Sequence, residues 1–420
     1  MVSILDIVAL LLTLSAGFAW LNARFVRLPR AIGLLVMGLA ASLLLVLADV
    51  VAPGGHLYED LTSTLQQIDF SAVVMNFMLG FLLFAGAMNV DFPRLRQRAW
   101  PVAALALAGT VISTLVVGLL FWLAGQAVGV NVSLGWALAF GALISPTDPV
   151  AVLTTLKNVR VPATLEVEMQ GEALFNDGIG IVLFTFLVGL AAGGSDHIGV
   201  GQVALDLLRE AGGGLLLGCV TGYVAYRAMR AIDDFPVEVL VTLALVSGTY
   251  ALAQRLAVSG PLAMVATGLL IGTKGTREAM SDRTQNYVTA LWTMIDEVLN
   301  AVLFLLIGLE VLVLRFQPIS LVMAGLALPI VLMARASAVA APLLLFPRGS
   351  LSPRRIPFLT WAGVRGGISV ALALALPGGP AKPTILAATY AVVLFSVIVQ
   401  GSTLGMVARR TLEAEGPDGG

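Results

Sequence analysis

Long apolar runs, separated by short polar stretches, follow one another along the whole chain. An α-helix needs roughly 17–25 mostly apolar residues to cross the hydrocarbon core of a bilayer. Runs of about this length predict an all-α polytopic membrane protein with thirteen transmembrane helices, at residues 4–21, 31–51, 70–90, 100–124, 134–156, 164–192, 200–231, 236–254, 258–273, 290–314, 318–346, 355–376 and 383–408.

The basic residues predict how the chain is oriented, because loops on the cytoplasmic side carry an excess of Lys and Arg. With the N-terminus outside and the C-terminus inside, 18 of the 24 Lys and Arg fall in inside loops or in the C-terminal tail. A miscounted helix would scramble this asymmetry. The other six comprise three in outside loops, Arg255, Arg315 and Lys382, and three within apolar runs, Arg209, Arg335 and Arg365.

The same distribution bears on domain organisation. The first run is followed, not preceded, by its arginines, so we expect no cleavable signal peptide. The loops are short, which predicts a single membrane domain over residues 1–408 and a short cytoplasmic tail over 409–420.

Composition supports this picture and narrows the possible partners. Hydrophobic residues make up 58% of the 420 residues and charged residues 12%, whereas a soluble domain carries about 25% charge. Apolar surface in such excess must face lipid. The net charge of -1 argues against a nucleic-acid partner. The single cysteine, Cys219, excludes an intrachain disulfide and a cysteine metal cluster.

Charged side chains inside the apolar runs are rare. Inserting a charged side chain at the centre of a bilayer costs about 2.5–3.5 kcal/mol of free energy even on lenient insertion scales. A charged residue at that depth therefore needs a functional or structural reason. The deepest are Asp148, Glu172, Asp177 and Arg365. Asp296 and Glu297 lie about a turn and a half inside the tenth run, and a role in an aqueous vestibule stays open for both. Four others lie where the side chain can reach water, which predicts interfacial roles: Asp49, Asp91, Glu238 and Glu310.

The motif GEALFNDGIG gives the sixth run two carboxylates that point in different directions. Residues on an α-helix advance about 100° per position. Glu172 and Asn176 therefore share a face, while Asp177 lies about 140° from Glu172. Ala173 and Gly180 share the Asp177 face, and their small size is expected to leave room beside that carboxylate.

The fifth run contains a sequence that breaks a helix. Pro146 and Pro149 flank Thr147 and Asp148, and each proline removes a backbone donor and clashes with the preceding turn. The helix should open here, and unwound backbone in a membrane is tolerated only where it is buried in protein or lines a cavity. Its freed carbonyls and the Thr147 hydroxyl are oxygen ligands suited to a hard cation.

The twelfth run has a comparable feature, with Gly363, Gly366 and Gly367 around Arg365. Runs five and twelve are seven apart, as expected if the first six and the last six runs are inverted-topology repeats. Paired broken helices in two such halves are typical of the midplane substrate site of a transporter.

Together, TDP at residues 147–149, GE-x-L-F-N-D-G at 171–178 and G-x-R-G-G at 363–367 resemble the motifs of the NhaP/NHE-type monovalent cation–proton antiporters. The resemblance covers the whole chain, because the number of runs and the order of the motifs also match. It implies a secondary transporter in the cell membrane, neither an enzyme nor dependent on a cofactor, that exchanges Na⁺ or Li⁺ for H⁺ in pH homeostasis.

The resemblance also implies roles for individual residues. Asp177 would be the ion- and proton-carrying carboxylate, with Thr147, Asp148 and Asn176 shaping its site and Na⁺ bound at Asp177 and Thr147. Glu172 and Arg365 would form a structural ion pair, which agrees with the need of a buried arginine for a permanent counter-charge. Relatives are homodimers in which core-type helices, here roughly 100–192 and 318–408, move against dimerisation helices, here roughly 1–90 and 200–314.

Two departures from the family pattern leave the transported cation open. Many relatives have Ser where this chain has Ala173, and many have an acidic residue near the position of Ala85. Either change removes an oxygen that could contact a cation, so K⁺/H⁺ exchange stays the alternative within the family.

One carboxylate that binds either H⁺ or a monovalent cation is sufficient for exchange. Burial disfavours the charged form of a carboxyl group, so it can hold a proton near neutral pH, whereas a nearby cation favours the ionised form. Asn176 is neutral and Arg365 cannot deprotonate, so Asp177 alone titrates, which predicts electroneutral one-for-one exchange. His56 and His197 fall in predicted outside loops and cannot supply this pH dependence.

Two other classes of membrane protein also use buried carboxylates. An ion channel needs neither paired broken helices nor a single competitive site, and no filter-like repeat occurs. An intramembrane aspartyl protease needs two facing aspartates, and Asp148 and Asp177 could supply them. Such enzymes carry a GxGD-type motif, whereas Asp177 follows Leu-Phe-Asn. Cation–proton antiport fits the residues best.

Overall fold

The computed structural model describes residues 4–51, 70–149, 152, 156, 161–193, 200–311, 318–345 and 355–412. Within these ranges the regular elements are helices, and no strand occurs. We number the helices α1 (Ile4–Leu21), α2 (Arg30–Val51), α3 (Phe70–Met88), α4 (Phe92–Gln97), α5 (Ala99–Val128), α6 (Leu134–Ile144), α7 (Ala163–Ala191), α8 (Val200–Met229), α9 (Phe235–Arg255), α10 (Gly260–Leu270), α11 (Asp282–Glu310), α12 (Pro318–Leu345), α13 (Ile356–Trp361), α14 (Gly367–Leu374) and α15 (Lys382–Leu412).

Nine helices in the described part of the chain are long and apolar enough to cross a membrane, namely α1–α3, α5, α7, α9, α11, α12 and α15. They coincide with nine of the predicted runs. The other four runs correspond to helices that are interrupted, short or more polar. α6 has 11 residues, and α13 and α14 have 6 and 8. α8, and α10 together with its π-helical continuation over Ile271–Ala279, are long enough but too polar. The polytopic helical architecture is confirmed, and the number of crossings stays a prediction.

The helices pack as two groups. α5, α6, α7, α12 and α15 pack on one another in the first group, and α2, α3, α8, α10 and α11 in the second. The rings of Phe121 and Phe140, 4.4 Å apart, join α5 to α6, and those of Phe84 and Trp292, 4.5 Å apart, join α3 to α11. α7 and α14 also contact helices of the second group. The side chains at these contacts therefore lie where the two groups meet.

Several sequence predictions concern residues at the edges of this description. α15 continues to Leu412, so the first four residues of the predicted tail over 409–420 are helical, and 413–420 lie outside the described residues. His56 and His197 also lie outside them. Five of the basic residues used to predict the orientation do so too: Lys157, Arg160, Arg315, Arg348 and Arg354.

Candidate ion-binding site

The fifth predicted helix opens where the two prolines require it. α6 ends at Ile144, and residues 145–148 are not helical. The Nη1 of Arg365 donates hydrogen bonds to the carbonyl oxygens of Ser145 and, at 2.9 Å, of Pro146. Carbonyls at the C-terminal end of a helix lack intrahelical partners and carry partial negative charge. The buried guanidinium of Arg365 therefore satisfies and neutralises the opened end of α6.

A second break lies against the first. α13 ends at Trp361, α14 begins at Gly367, and residues 363–366 between them are not helical. The backbone N–H of Asp148 donates to the carbonyl of Val364 at 2.8 Å. A Cβ added at Gly366 would lie 2.5 Å from Asp148 Oδ2, so the close approach of the two breaks requires glycine there.

Asn176 on α7 holds the opened segment in place. Its Nδ2 donates to Thr147 Oγ1 at 2.9 Å, and its Oδ1 accepts from the Thr147 backbone N–H at 3.4 Å. Both side chains are buried. The amide thus fixes the hydroxyl of Thr147, which lines the same cavity as the next residue of α7, Asp177.

Asp177 lies at a cavity of about 220 Å³ where the two helix groups meet. Gln170, Leu174 and Asp177 line it from α7 with spacing i, i+4 and i+7, which places them on one helix face. Asn89 at the end of α3 is exposed and Gln170 is partly exposed, whereas Asp177 is only 6% exposed. The cavity therefore leads from an accessible mouth to a buried carboxylate.

The charge of this cavity is one-sided. Its lining includes the carboxylates of Asp148, Asp177 and Asp296 and, among the described residues, no Lys or Arg. Thr147 adds a hydroxyl and Asn300 an amide. The structure thus brings Thr147, Asp148, Asn176 and Asp177 together, as the motifs predict, and adds two residues of α11 that the motifs do not contain.

The opposite face of α7 corrects one prediction. Glu172 forms an ion pair with Arg335 of α12, donated by both Nη1 and, at 3.0 Å, Nη2 of the arginine. The predicted partner, Arg365, is turned toward the open carbonyl end of α6 instead and interacts with Glu172 only at longer range. The prediction that Arg365 is the basic partner of Glu172 was therefore wrong, since Arg335 has that position. Arg335 is a lone arginine in an apolar run, and that signal could have identified it.

One further buried carboxylate, Glu168, escaped the sequence prediction. Glu168 is one helical turn before Glu172, is fully buried, and lies 3.1 Å from Arg98 Nε. Its i, i+4 spacing from Glu172 could have indicated a shared charged face. Glu238, in the first turn of α9, is also fully buried, and its interfacial role stays a prediction.

The small residues near Asp177 have other functions than the one predicted. A Cβ added at Gly180 would lie 2.5 Å from Pro146 Cγ, so the opened segment fills that space. Ala173 lines a separate void of about 10 Å³ together with Glu172 and Arg335. Space beside Asp177 comes from the cavity on the other side.

Comparisons with known proteins agree with this arrangement. The family model described as "Sodium/hydrogen exchanger, transmembrane" matches residues 9–410. The chain is 43% identical over 412 residues to the Na(+)/H(+) antiporter NhaP of Pseudomonas aeruginosa, covering 97% of this chain and 96% of that one. It is 29% identical over 380 residues to the K(+)/H(+) antiporter NhaP2 of Shewanella sp. (strain ANA-3), covering 87% of this chain and 60% of that one.

A solved structure shows the same fold. The sodium proton antiporter MjNhaP1 of Methanocaldococcus jannaschii superposes with a TM-score of 0.76 at 20% identity, covering 97% of this chain and 98% of that one. Family members are cation–proton antiporters that need no cofactor, because the ions are their substrates. The chain therefore belongs to the sodium/hydrogen exchanger family and is a multi-pass secondary transporter of monovalent cations and protons, not an enzyme.

Proposed function

We propose that the protein exchanges Na⁺ or Li⁺ for H⁺ by alternating access, with both ions carried by Asp177. The observation that carries this proposal is the position of Asp177: buried, beside an opened helix, in a cavity that no described Lys or Arg lines. Burial favours the protonated carboxyl group, and a bound cation favours the carboxylate. A group that holds either ion, but not both, couples their opposite movements.

The neighbours of Asp177 provide further ligands for a cation. Na⁺ is a hard cation that prefers oxygen, and we assign it to the Asp177 carboxylate and the Thr147 hydroxyl. Asn176 supports this role, because its amide N–H occupies one lone pair of Thr147 Oγ1 and leaves another available. Asp148 lines the same cavity and contributes negative charge.

We further propose that exchange is electroneutral, with one Na⁺ moved for each H⁺. The neutral Asn176 and the permanently charged Arg365 leave Asp177 as the titrating group of the site. An ionised Asp148 would add the same charge to both half-cycles. The loaded site then has the same charge whether it holds H⁺ or Na⁺.

We propose that the site becomes accessible to either side of the membrane by a relative movement of the two helix groups. We propose that the core-type helices of roughly 100–192 and 318–408 move against the scaffold helices of roughly 1–90 and 200–314. Support comes from the packing groups, because the cavity lies where they meet. The predicted thirteen crossings, inverted repeats, N-out/C-in orientation, cell-membrane location and homodimer belong to this proposal.

K⁺/H⁺ exchange is the second candidate, because a relative from Shewanella sp. carries that name. The two departures from the family pattern do not decide between the cations. Ala173 and Ala85 are both buried and line no part of the cavity of Asp177. The oxygen atoms that we assign to the cation belong to the Asp177 carboxylate and the Thr147 hydroxyl.

The experiment uses proteoliposomes that contain a pH-sensitive dye. Na⁺, Li⁺ and K⁺ are added in turn to vesicles with an acidic interior, and dequenching of the dye reports proton efflux. We expect responses to Na⁺ and Li⁺ and none from protein-free vesicles. A response to K⁺ alone would favour the second candidate, and no response to any cation would contradict antiport by this chain.

A further inference from the structure

We infer that Asp296 and Asn300 of α11 form a second cation-binding position in the cavity, which a cation occupies on its way to Asp177. The inference rests on the proposed function and adds a step to it. Three observations carry it: the opposite surroundings of two adjacent carboxylates, the hydrogen bonds of Asn300, and the charge of the cavity.

Asp296 and Glu297 are adjacent in sequence but face different surroundings. Successive residues on a helix point about 100° apart. Glu297 lies at the surface, with its side chain 48% exposed, and forms an ion pair with Arg30. Asp296 lines the cavity and is only partly exposed. The tenth predicted run therefore places one carboxylate outside the bundle and the other toward Asp177.

Asn300 lies one helical turn after Asp296 and is oriented by it. Its Nδ2 donates to the Asp296 carbonyl oxygen at 2.9 Å and to Asp296 Oδ1 at 3.0 Å. Since an amide donates only through nitrogen, these bonds assign Oδ1 to the remaining direction. Asn300 is 9% exposed and lines the cavity, and within the described chain no hydrogen bond to its Oδ1 occurs. The side chain thus presents an acceptor oxygen to the cavity beside a carboxylate.

The charge of the cavity favours a mobile cation at this position. Asp296 interacts unfavourably with Asp148, and the described lining of the cavity beside Asp296 and Asp177 contains no Lys or Arg. An acidic cleft raises the local concentration of cations. The volume of about 220 Å³ is more than ten times the roughly 10–15 Å³ that holds one water molecule, so a partly hydrated Na⁺ fits.

The relative burial of the carboxylates gives the order of binding. Asp177 is almost fully buried, whereas Asp296 retains partial exposure. A cation from the accessible mouth therefore meets Asp296 first and Asp177 second. In the predicted orientation this mouth opens to the inside, because α3 ends and α7 begins on that side.

The test compares Asp296→Asn with Glu297→Gln, the same loss of charge one residue away and outside the cavity. Initial rates of Na⁺-driven proton flux are measured in proteoliposomes over a range of Na⁺ concentrations at neutral pH. We expect Asp296→Asn to raise the apparent KM for Na⁺ about tenfold and to leave the maximal rate nearly unchanged. Asn300→Ala should raise KM less, Asp296→Glu should restore it, and Glu297→Gln should leave it at the wild-type value.

Binding is measured separately, as the rise in melting temperature of the detergent-solubilised protein with added Na⁺. Asp296→Asn should need more Na⁺ for the same rise. A wild-type KM in Asp296→Asn, or a lower maximal rate at unchanged KM, would overturn the inference, since the second result assigns Asp296 a purely structural role. If the wild-type protein itself shows no exchange, the proposed function fails instead, so the two failures are distinguishable.

Discussion

The two faces of α7 carry buried carboxylates in opposite electrostatic surroundings. On one face, Glu168 and Glu172 lie against Arg98 and Arg335. On the other, Asp177 faces a cavity without a described basic residue in its lining. The carboxylates share a helix and are all buried, so burial alone does not distinguish a structural carboxylate from the proposed ion carrier. The presence of a permanent counter-charge does.

This difference has a simple physical basis. Arginine cannot lose its proton, so a carboxylate paired with it stays ionised and is not available to a mobile ion. A buried carboxylate without such a partner must be neutralised by something that can leave, either a proton or a cation. The opened segment at Thr147 and Asp148 separates the two cases, because it lines both the cavity of Asp177 and the small void beside Glu172.

The largest expected effect is that of Asp177→Asn. The substitution keeps the shape of the side chain and removes the carboxylate that we propose exchanges H⁺ for Na⁺, so cation-driven proton flux in proteoliposomes should be abolished. Since Asp177 has no basic partner in the described cavity lining, the melting temperature in detergent should stay close to that of the wild-type protein. Appreciable exchange by this variant would rule out Asp177 as the carrier.

The paired face should respond in stability. Removing one member of a buried ion pair leaves the other uncompensated and costs about 3–5 kcal/mol, so Glu172→Gln and Arg335→Gln should each lower the melting temperature in detergent. The double variant should lose less than the sum of the two. A parallel cycle of Glu172→Gln with Arg365→Gln serves as control and should show the smaller coupling. The reverse ranking of the two cycles would restore Arg365 as the main partner.

A smaller effect is expected at the hydroxyl between the faces. Thr147→Val keeps the shape of the side chain but removes an oxygen ligand of the proposed cation. It also leaves the amide N–H of Asn176 unpaired, which lowers the free energy of unfolding by about 1–3 kcal/mol. The apparent KM for Na⁺ should rise about tenfold, since about 1.4 kcal/mol corresponds to one decade, with exchange retained at high Na⁺. An unchanged KM would exclude the hydroxyl as a ligand.

Ala173→Ser is the matched contrast to that variant, because it adds a hydroxyl one position after Glu172. Ala173 lines the small void and not the cavity of Asp177, so the KM for Na⁺ should change little. A marked gain in Na⁺ affinity would show that position 173 faces the bound cation, and would contradict the separation of the two faces.

The breaks in the helices could be predicted from sequence, whereas the choice of ionic partner could not. Pro146 and Pro149 forbid regular helix through local stereochemistry alone, and residues 145–148 are open as expected. The partner of Glu172 depends on how two distant helices approach α7. Arg335 and Arg365 both lie in apolar runs, and sequence contains no information on which guanidinium the open end of α6 attracts.

The surroundings that a side chain faces where helices pack together also could not be predicted from the sequence. Helical spacing separates Glu172 from Asp177 correctly, because both lie well inside one continuous helix. The same spacing could not assign Asp296 to the cavity and Glu297 to the surface, because the neighbours of α11 were unknown. The small side of α7 at Gly180 predicted free space beside Asp177, but Pro146 occupies that space. Only the tertiary packing shows this.

The smallest effect is expected from membrane voltage, and it tests the cavity face as a whole. If Asp177 alone titrates, one H⁺ is exchanged for one Na⁺ and no net charge crosses the membrane. Na⁺-driven flux should then have the same rate and end-point at any potential that valinomycin and K⁺ gradients impose on the proteoliposomes. Because H⁺ and Na⁺ compete for the carboxylate of Asp177, the apparent affinity for Na⁺ should also fall at low pH, where the proton occupies that carboxylate. A rate or end-point that follows the imposed voltage would indicate a second titrating group in the cavity. Asp148 would then be the first residue to substitute, since it lines both the cavity and the void, and an Asp148→Asn variant that exchanges without voltage dependence would identify it.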